Sequence, residues 1–104
     1  MRRIFTFFLT FLLGMFVTAL YAQTHTVSGT VIDKDANEPL IGANVLIKGT
    51  TIGTVTDLDG KYTLQAGDKD ILVFSYLSMK TIEEPVNGRT VINVKMASDT
   101  ETLG

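Results

Sequence analysis

From residue 24 onward the hydrophobic positions recur at every second residue, in short runs separated by polar or glycine-containing breaks. In residues 26–33, Val27, Gly29 and Val31 share one side while Ser28 and Thr30 share the other, the period-two pattern of a half-buried strand. Ala43, Val45 and Ile47 oppose Asn44 and Lys48 in a second run that stops at Gly49. Residues 52–56 form a third, and Tyr62 with Leu64 alternates against Lys61, Thr63 and Gln65 in a fourth. Residues 71–77 are apolar on both sides, which predicts the most buried strand of the set. Residues 80–86 are weaker and contain Glu83, Glu84 and Pro85, the chemistry of an edge strand. A seventh run, residues 90–96, turns Ile92, Val94 and Met96 inward.

The breaks carry turn chemistry. Residues 35–39 are polar and end in a proline, so they form a loop. In Asp57-Leu-Asp-Gly60 the aspartates can bond their own backbone and the glycine accepts positive φ. Residues 66–70 are a further turn, and Asn87-Gly88 is a strong local hairpin signal, expected to fold the sixth strand onto the seventh. No window past residue 23 has helical spacing, and no internal repeat is visible. Seven short strands with turns at this spacing predict an all-β, seven-stranded, two-layer β-sandwich over residues 23–97. Residues 98–104 lack a pattern and are expected to be a linker.

Residues 1–22 follow a different logic. Arg2 and Arg3 precede an apolar stretch, residues 4–17, interrupted by two threonines and Gly14; small residues then appear at Ala19 and Ala22. That order predicts a secretory signal peptide cut after Ala22 or, alternatively, after Ala19; an uncleaved membrane anchor is the competing reading. Composition supports dividing the chain here, because five of the six phenylalanines lie in the first sixteen residues. Setting aside Arg2 and Arg3 leaves seven basic residues against eleven acidic ones, a net charge of −4. Such a surface gives no electrostatic reason to bind nucleic acid or anionic lipid. With no cysteine, disulfides, thiolate metal sites, thiol nucleophiles and lipoprotein-type acylation are all excluded.

The candidate chemistry is sparse. Asp33-Lys-Asp-Ala-Asn37 resembles the first half of a calcium loop, but Glu38 stands where the loop needs glycine and Asn44 where it needs the closing glutamate. Asp57 and Asp59 are explained by a tight turn. His25, the single histidine, falls in a polar lead and is expected to be solvated. Ser28, Ser75, Ser78 and Ser98 lack a nucleophile elbow. Glu83 and Glu84 are adjacent, so on a strand they face opposite sides and cannot form an acid–base pair. Tyr62, Phe74 and Tyr76 sit in alternating apolar contexts and are expected in the core rather than on a stacking platform. The expectation is therefore no enzyme, no catalytic residue, no metal and no cofactor.

One string of motifs is specific. Val27-Ser-Gly-Thr-Val-Ile-Asp33, Glu38-Pro-Leu-Ile-Gly-Ala-Asn-Val45 and Lys48-Gly-Thr-Thr-Ile-Gly-Thr-Val-Thr-Asp-Leu-Asp-Gly-Lys-Tyr62 are followed by Ile71-Leu-Val-Phe-Ser-Tyr76 and Val91-Ile-Asn-Val-Lys-Met96. Together they closely resemble the carboxypeptidase-like regulatory domain, a transthyretin-like sandwich. The variant is similar to the one that opens SusC/RagA-type TonB-linked outer-membrane proteins of Bacteroidota. The resemblance implies an exported, non-catalytic domain on the periplasmic face of the outer membrane. Its partners would be a plug and barrel and the TonB system, and its setting the import of glycans or peptides. In relatives of that kind such a linker leads to the plug, so the resemblance implies that residues 98–104 are truncated before one and that alone the chain would be transport-incompetent. Gly42 is expected at a close backbone approach or a bend. Ser78-Met79 departs from the Gly-Tyr pair usual in the family, which should alter one turn and lose an aromatic contact. Three rival readings are a free-standing secreted structural or adhesive module, a regulatory appendage of a secreted peptidase, and a weak carbohydrate-binding module.

Overall fold

A computed structural model describes residues 24–99; the expected leader with its two cleavage points, and residues 100–104 of the expected linker, lie outside the described residues. Seven strands form: β1 (Thr24–Asp33), β2 (Asn44–Ile47), β3 (Gly53–Val55), β4 (Lys61–Gly67), β5 (Ile71–Ser75), β6 (Ile82–Pro85) and β7 (Val94–Met96). They build two sheets, one ordered β4-β1-β7 and the other β3-β2-β5-β6. The all-β, seven-stranded sandwich read from the alternation is the observed architecture.

β1 organises the first sheet. It runs antiparallel to β4 from Thr24↔Gly67 to Thr30↔Lys61, then parallel to β7 from Val31↔Val94 to Asp33↔Met96. In the second sheet β5 is central, antiparallel to both β2 and β6. The inward positions meet in one core: Val27, Val31, Tyr62, Leu64, Ala66, Ile92, Val94 and Met96 from the first sheet's side, facing Val45, Ile47, Leu72 and Phe74 from the second. Burying each large side chain contributes about 1.5–3 kcal/mol. Tyr62 and Phe74 meet edge to face, with centroids 5.4 Å apart and rings at 72°.

Two close constraints fix neighbouring segments within the sandwich. A Cβ on Gly29 would lie 1.9 Å from the Ile92 carbonyl oxygen, so only glycine allows the strand leading into β7 to come against β1 there. The Tyr62 hydroxyl donates to that same carbonyl at 2.7 Å. Thr56 is the one buried polar residue among the described residues. Its Oγ1 accepts from the Ala43 N–H at 2.8 Å and donates to the Leu40 carbonyl, tying the loop before β2 to the end of β3.

The structure corrects several local expectations. β5 ends at Ser75, and Leu77 is 88% exposed in a turn closed by Met79 N–H on the Tyr76 carbonyl. Leu72 and Phe74 are buried, whereas Ile71 and Val73 are only half covered, because no layer of the described residues lies over the outer face of this sheet. Asn87-Gly88 does form a left-handed turn, with φ of 48° and 74° and Arg89 N–H bonded to the Val86 carbonyl. It is not a hairpin: β6 belongs to one sheet and β7 to the other, so the turn carries the chain across the sandwich. At Gly42 (φ +77°) no atom lies near a notional Cβ, so the position is a bend and not a close approach. Ser78 takes φ 66°, so the turn expected to change keeps a glycine-like backbone, while Met79 packs on the core. Ser98 bridges Met79, and Asp99 N–H bonds the Ser78 carbonyl, so backbone pairing continues to residue 99.

Candidate functional site

Each group that the sequence brought forward can be placed. Asp33 ends β1, and its Oδ1 accepts from the N–H groups of Asp35 (2.9 Å) and Ala36 (3.2 Å), while Asn37 N–H bonds the Asp33 carbonyl. This is a self-bonded turn, with its leading carboxylate aimed at the chain itself. Asp57 behaves likewise: Oδ1 accepts from Lys61 N–H and Asp59 N–H, both at 2.9 Å. Those donors, that of Lys61 foremost, hold its carboxyl below the ordinary aspartate value of 3.8. Among the described residues no three His, Asp or Glu side chains converge as metal ligands would.

His25 is not in a solvated lead but inside β1, opposite Ala66. Its Nε2 lies 3.0 Å from the Arg89 carbonyl and its Nδ1 3.4 Å from Asp68 Oδ1, so the ring staples the start of β1 to two turns at one end of the sandwich. Both nitrogens are engaged there. The glutamates separate as strand geometry requires: Glu83 pairs with Lys48 at 2.8 Å and Glu84 with Arg89 at 3.1 Å, on opposite sides of β6. Tyr62 and Phe74 are buried and Tyr76 is partly buried against the core. Burial pushes the Tyr62 phenol up to about 12.

What the strand pattern did not bring forward is the outer surface of the second sheet. Leu46, Ile52 and Val55 are exposed, and a shallow depression of about 350 Å³ runs along β3 between Asn44, Leu46, Thr51, Gly53, Thr54 and Val55. The exposed alternates of β2 and β3 were the available signal, since polar residues are the rule at such positions.

Taken together, these positions describe a small two-sheet β-sandwich whose polar side chains are spent on turns, strand ends and surface ion pairs. Residues 27–104 match the model of the CarboxypepD_reg-like domain, and the chain belongs to that family. It is 45% identical over 91 residues, 86% of its length, to TonB-dependent receptor SusC of Bacteroides thetaiotaomicron. It is also similar to two receptors of Formosa agariphila. TonB-dependent receptor P39 is 42% identical over 84% of this chain, and TonB-dependent receptor P26 is 44% identical over 79%. The chain spans 8–9% of the length of these relatives.

Proposed function

We infer that the chain serves as the non-catalytic, periplasm-facing N-terminal accessory domain of a TonB-dependent outer-membrane receptor importing glycans or peptides, without transport capacity of its own. The observation that carries this reading is the likeness to SusC, 45% identical over 86% of this chain yet confined to 9% of the receptor. Receptor-type relatives and the family support the setting; the leader-like residues 1–22 support export. The site geometry fits a role without chemistry, because Asp33, Asp57, His25, Glu83 and Glu84 all have structural partners. A domain of this kind acts through its position, on assembly of the barrel or on its coupling to TonB.

The coding sequence downstream of Gly104 is the first test. A plug and barrel in frame, or after one frameshift, supports the reading; a stop followed by unrelated genes removes it. The second test deletes residues 24–99 from the receptor with its leader retained. The expected result is impaired growth on the imported nutrient, with the receptor still in the outer membrane or reduced in amount there. Growth and receptor level equal to those of the intact receptor would overturn the accessory role.

A further inference from the structure

The two edges of the four-stranded sheet are finished differently. On β6 the outward backbone groups belong to Glu83 and Pro85, because Val86 N–H bonds the Asp70 carbonyl and fixes the alternation. Pro85 has no N–H, its carbonyl accepts from the Arg89 guanidinium, and Glu83 and Glu84 place charge beside it. These are the devices that keep an edge from pairing. On β3 the bonds from Ile47 N–H to the Ile52 carbonyl and from Thr56 N–H to the Ala43 carbonyl turn Ile52, Thr54 and Thr56 toward β2. Gly53 and Val55 therefore direct their N–H and C=O groups outward, and among the described residues these groups have no partner. No residue between Thr50 and Thr56 is charged. The outward groups of Thr63 and Gln65 on β4, by contrast, lie among exposed polar side chains.

The geometry points to β3 as a strand-pairing edge whose occupant is β3 of a second copy of this chain. A two-fold axis through Thr54 sets Gly53 opposite Val55 of the other copy, and Val55 opposite Gly53. Both members of each pair have free backbone groups, so four hydrogen bonds form and an eight-stranded sheet results. The side chains agree with that register. Each Val55 enters the depression beside Leu46 and over Gly53, where a Cβ would lie 2.5 Å from the Val45 carbonyl oxygen and 2.6 Å from Leu46 Cδ1. The strip is uncharged, so it meets its own copy without repulsion. Three paired residues bury far less than the roughly 1,200–2,000 Å² of a stable complex, so the contact is weak in free solution and gains wherever copies are held side by side. It depends on no part of the receptor assignment.

The test uses the chain exported through its own leader and purified from the periplasm. Sedimentation equilibrium and amide exchange are measured up to about 1 mM, a concentration at which even a millimolar complex, about −4 kcal/mol, is substantially populated. The expected result is mass that rises with concentration and slowed exchange at Gly53 and Val55. Val55→Lys and Val55→Glu, both at an exposed position, should each weaken association at least tenfold, and mixing the two variants should restore it. A strict monomer at 1 mM, association indifferent to either variant, or protection of Gly53 and Val55 appearing only when the rest of the receptor is attached would each overturn the pairing. Loss of the accessory role in the deletion experiment leaves this result untouched, so the two failures are distinguishable.

Discussion

Ser78 shows how one residue records a backbone requirement that its side chain does not favour. Its φ of 66° places Cβ in the left-handed region, where an L-residue is strained and glycine is not. The Gly-Tyr pair expected from the family resemblance is thereby explained at its first position. Ser78→Gly should raise stability by about 0.5–1 kcal/mol, the gain from relieved strain less the added entropy of the unfolded chain. A urea midpoint that rises with the slope unchanged is the check, and an unchanged or lower midpoint would show the strain to be absent. Tyr62 makes a second residue-scale prediction. Its phenol, raised to about 12 by burial, ionises near 10 in the unfolded chain, so its contribution is complete below pH 10 and is lost as pH climbs from 10 to 12. Tyr62→Phe leaves the Ile92 carbonyl without its donor and should cost about 1–3 kcal/mol at neutral pH. The same variant should remove that share of the alkaline decline, which paired melts of the two proteins between pH 9 and 12 would measure.

At the scale of elements, the strands follow from side-chain alternation, while their destinations do not. All seven strands fall inside or over the expected runs, because a half-buried strand writes its period into the sequence. The Asn87-Gly88 turn was also legible as a turn, since its positive φ angles are a local demand. That β7 then crosses to β1 depends on pairing with residues some sixty positions earlier, which no local signal encodes. The outer positions of β5 resemble buried ones in sequence because they are apolar, although only Leu72 and Phe74 are fully covered. His25 looks like part of a polar lead in sequence because its partners, Asp68 and the Arg89 carbonyl, are remote in the chain. The role of Thr56 is hidden in sequence for the same reason. Its hydroxyl holds the loop before β2 through Ala43 and Leu40, so Thr56→Val should cost about 1–3 kcal/mol by leaving both unpaired, whereas Thr56→Ser should retain most of that stability. A loss in Thr56→Ser with none in Thr56→Val would instead assign the effect to the methyl group. The β3–β4 turn adds a pH dependence. Asp57 is held below its ordinary value of 3.8, so its contribution is full above that value and is lost as pH falls below it. Asp57→Ala should flatten the acid limb of stability relative to the parent when both are melted between pH 2 and 6.

For the whole molecule, the decisive arrangement is that both sheets close on one core and that β1 is paired on both sides. Val27 and Val31 of β1 are completely buried in the same cluster as Leu72 and Phe74 of β5. The chain also crosses between sheets at the turn after β6, and Tyr62 of the first sheet touches Phe74 of the second. Neither sheet can therefore lose its packing while the other keeps its own, and unfolding should be a single transition. Ile47→Val in β2 and Ile92→Val before β7 test this from opposite layers, each trimming one buried methyl group at a cost of about 0.5–1.5 kcal/mol. Both should lower the same urea midpoint with no change in slope. Ile47→Val should also speed the exchange of β1 amides, although β1 lies in the other sheet, because those amides open only by global unfolding. If β1 exchange ignored Ile47→Val while β2 and β5 responded, the sheets would be separate units. The sandwich would then be two loosely joined layers, and the tight closure enforced by Gly29 against the Ile92 carbonyl would bind the first sheet alone.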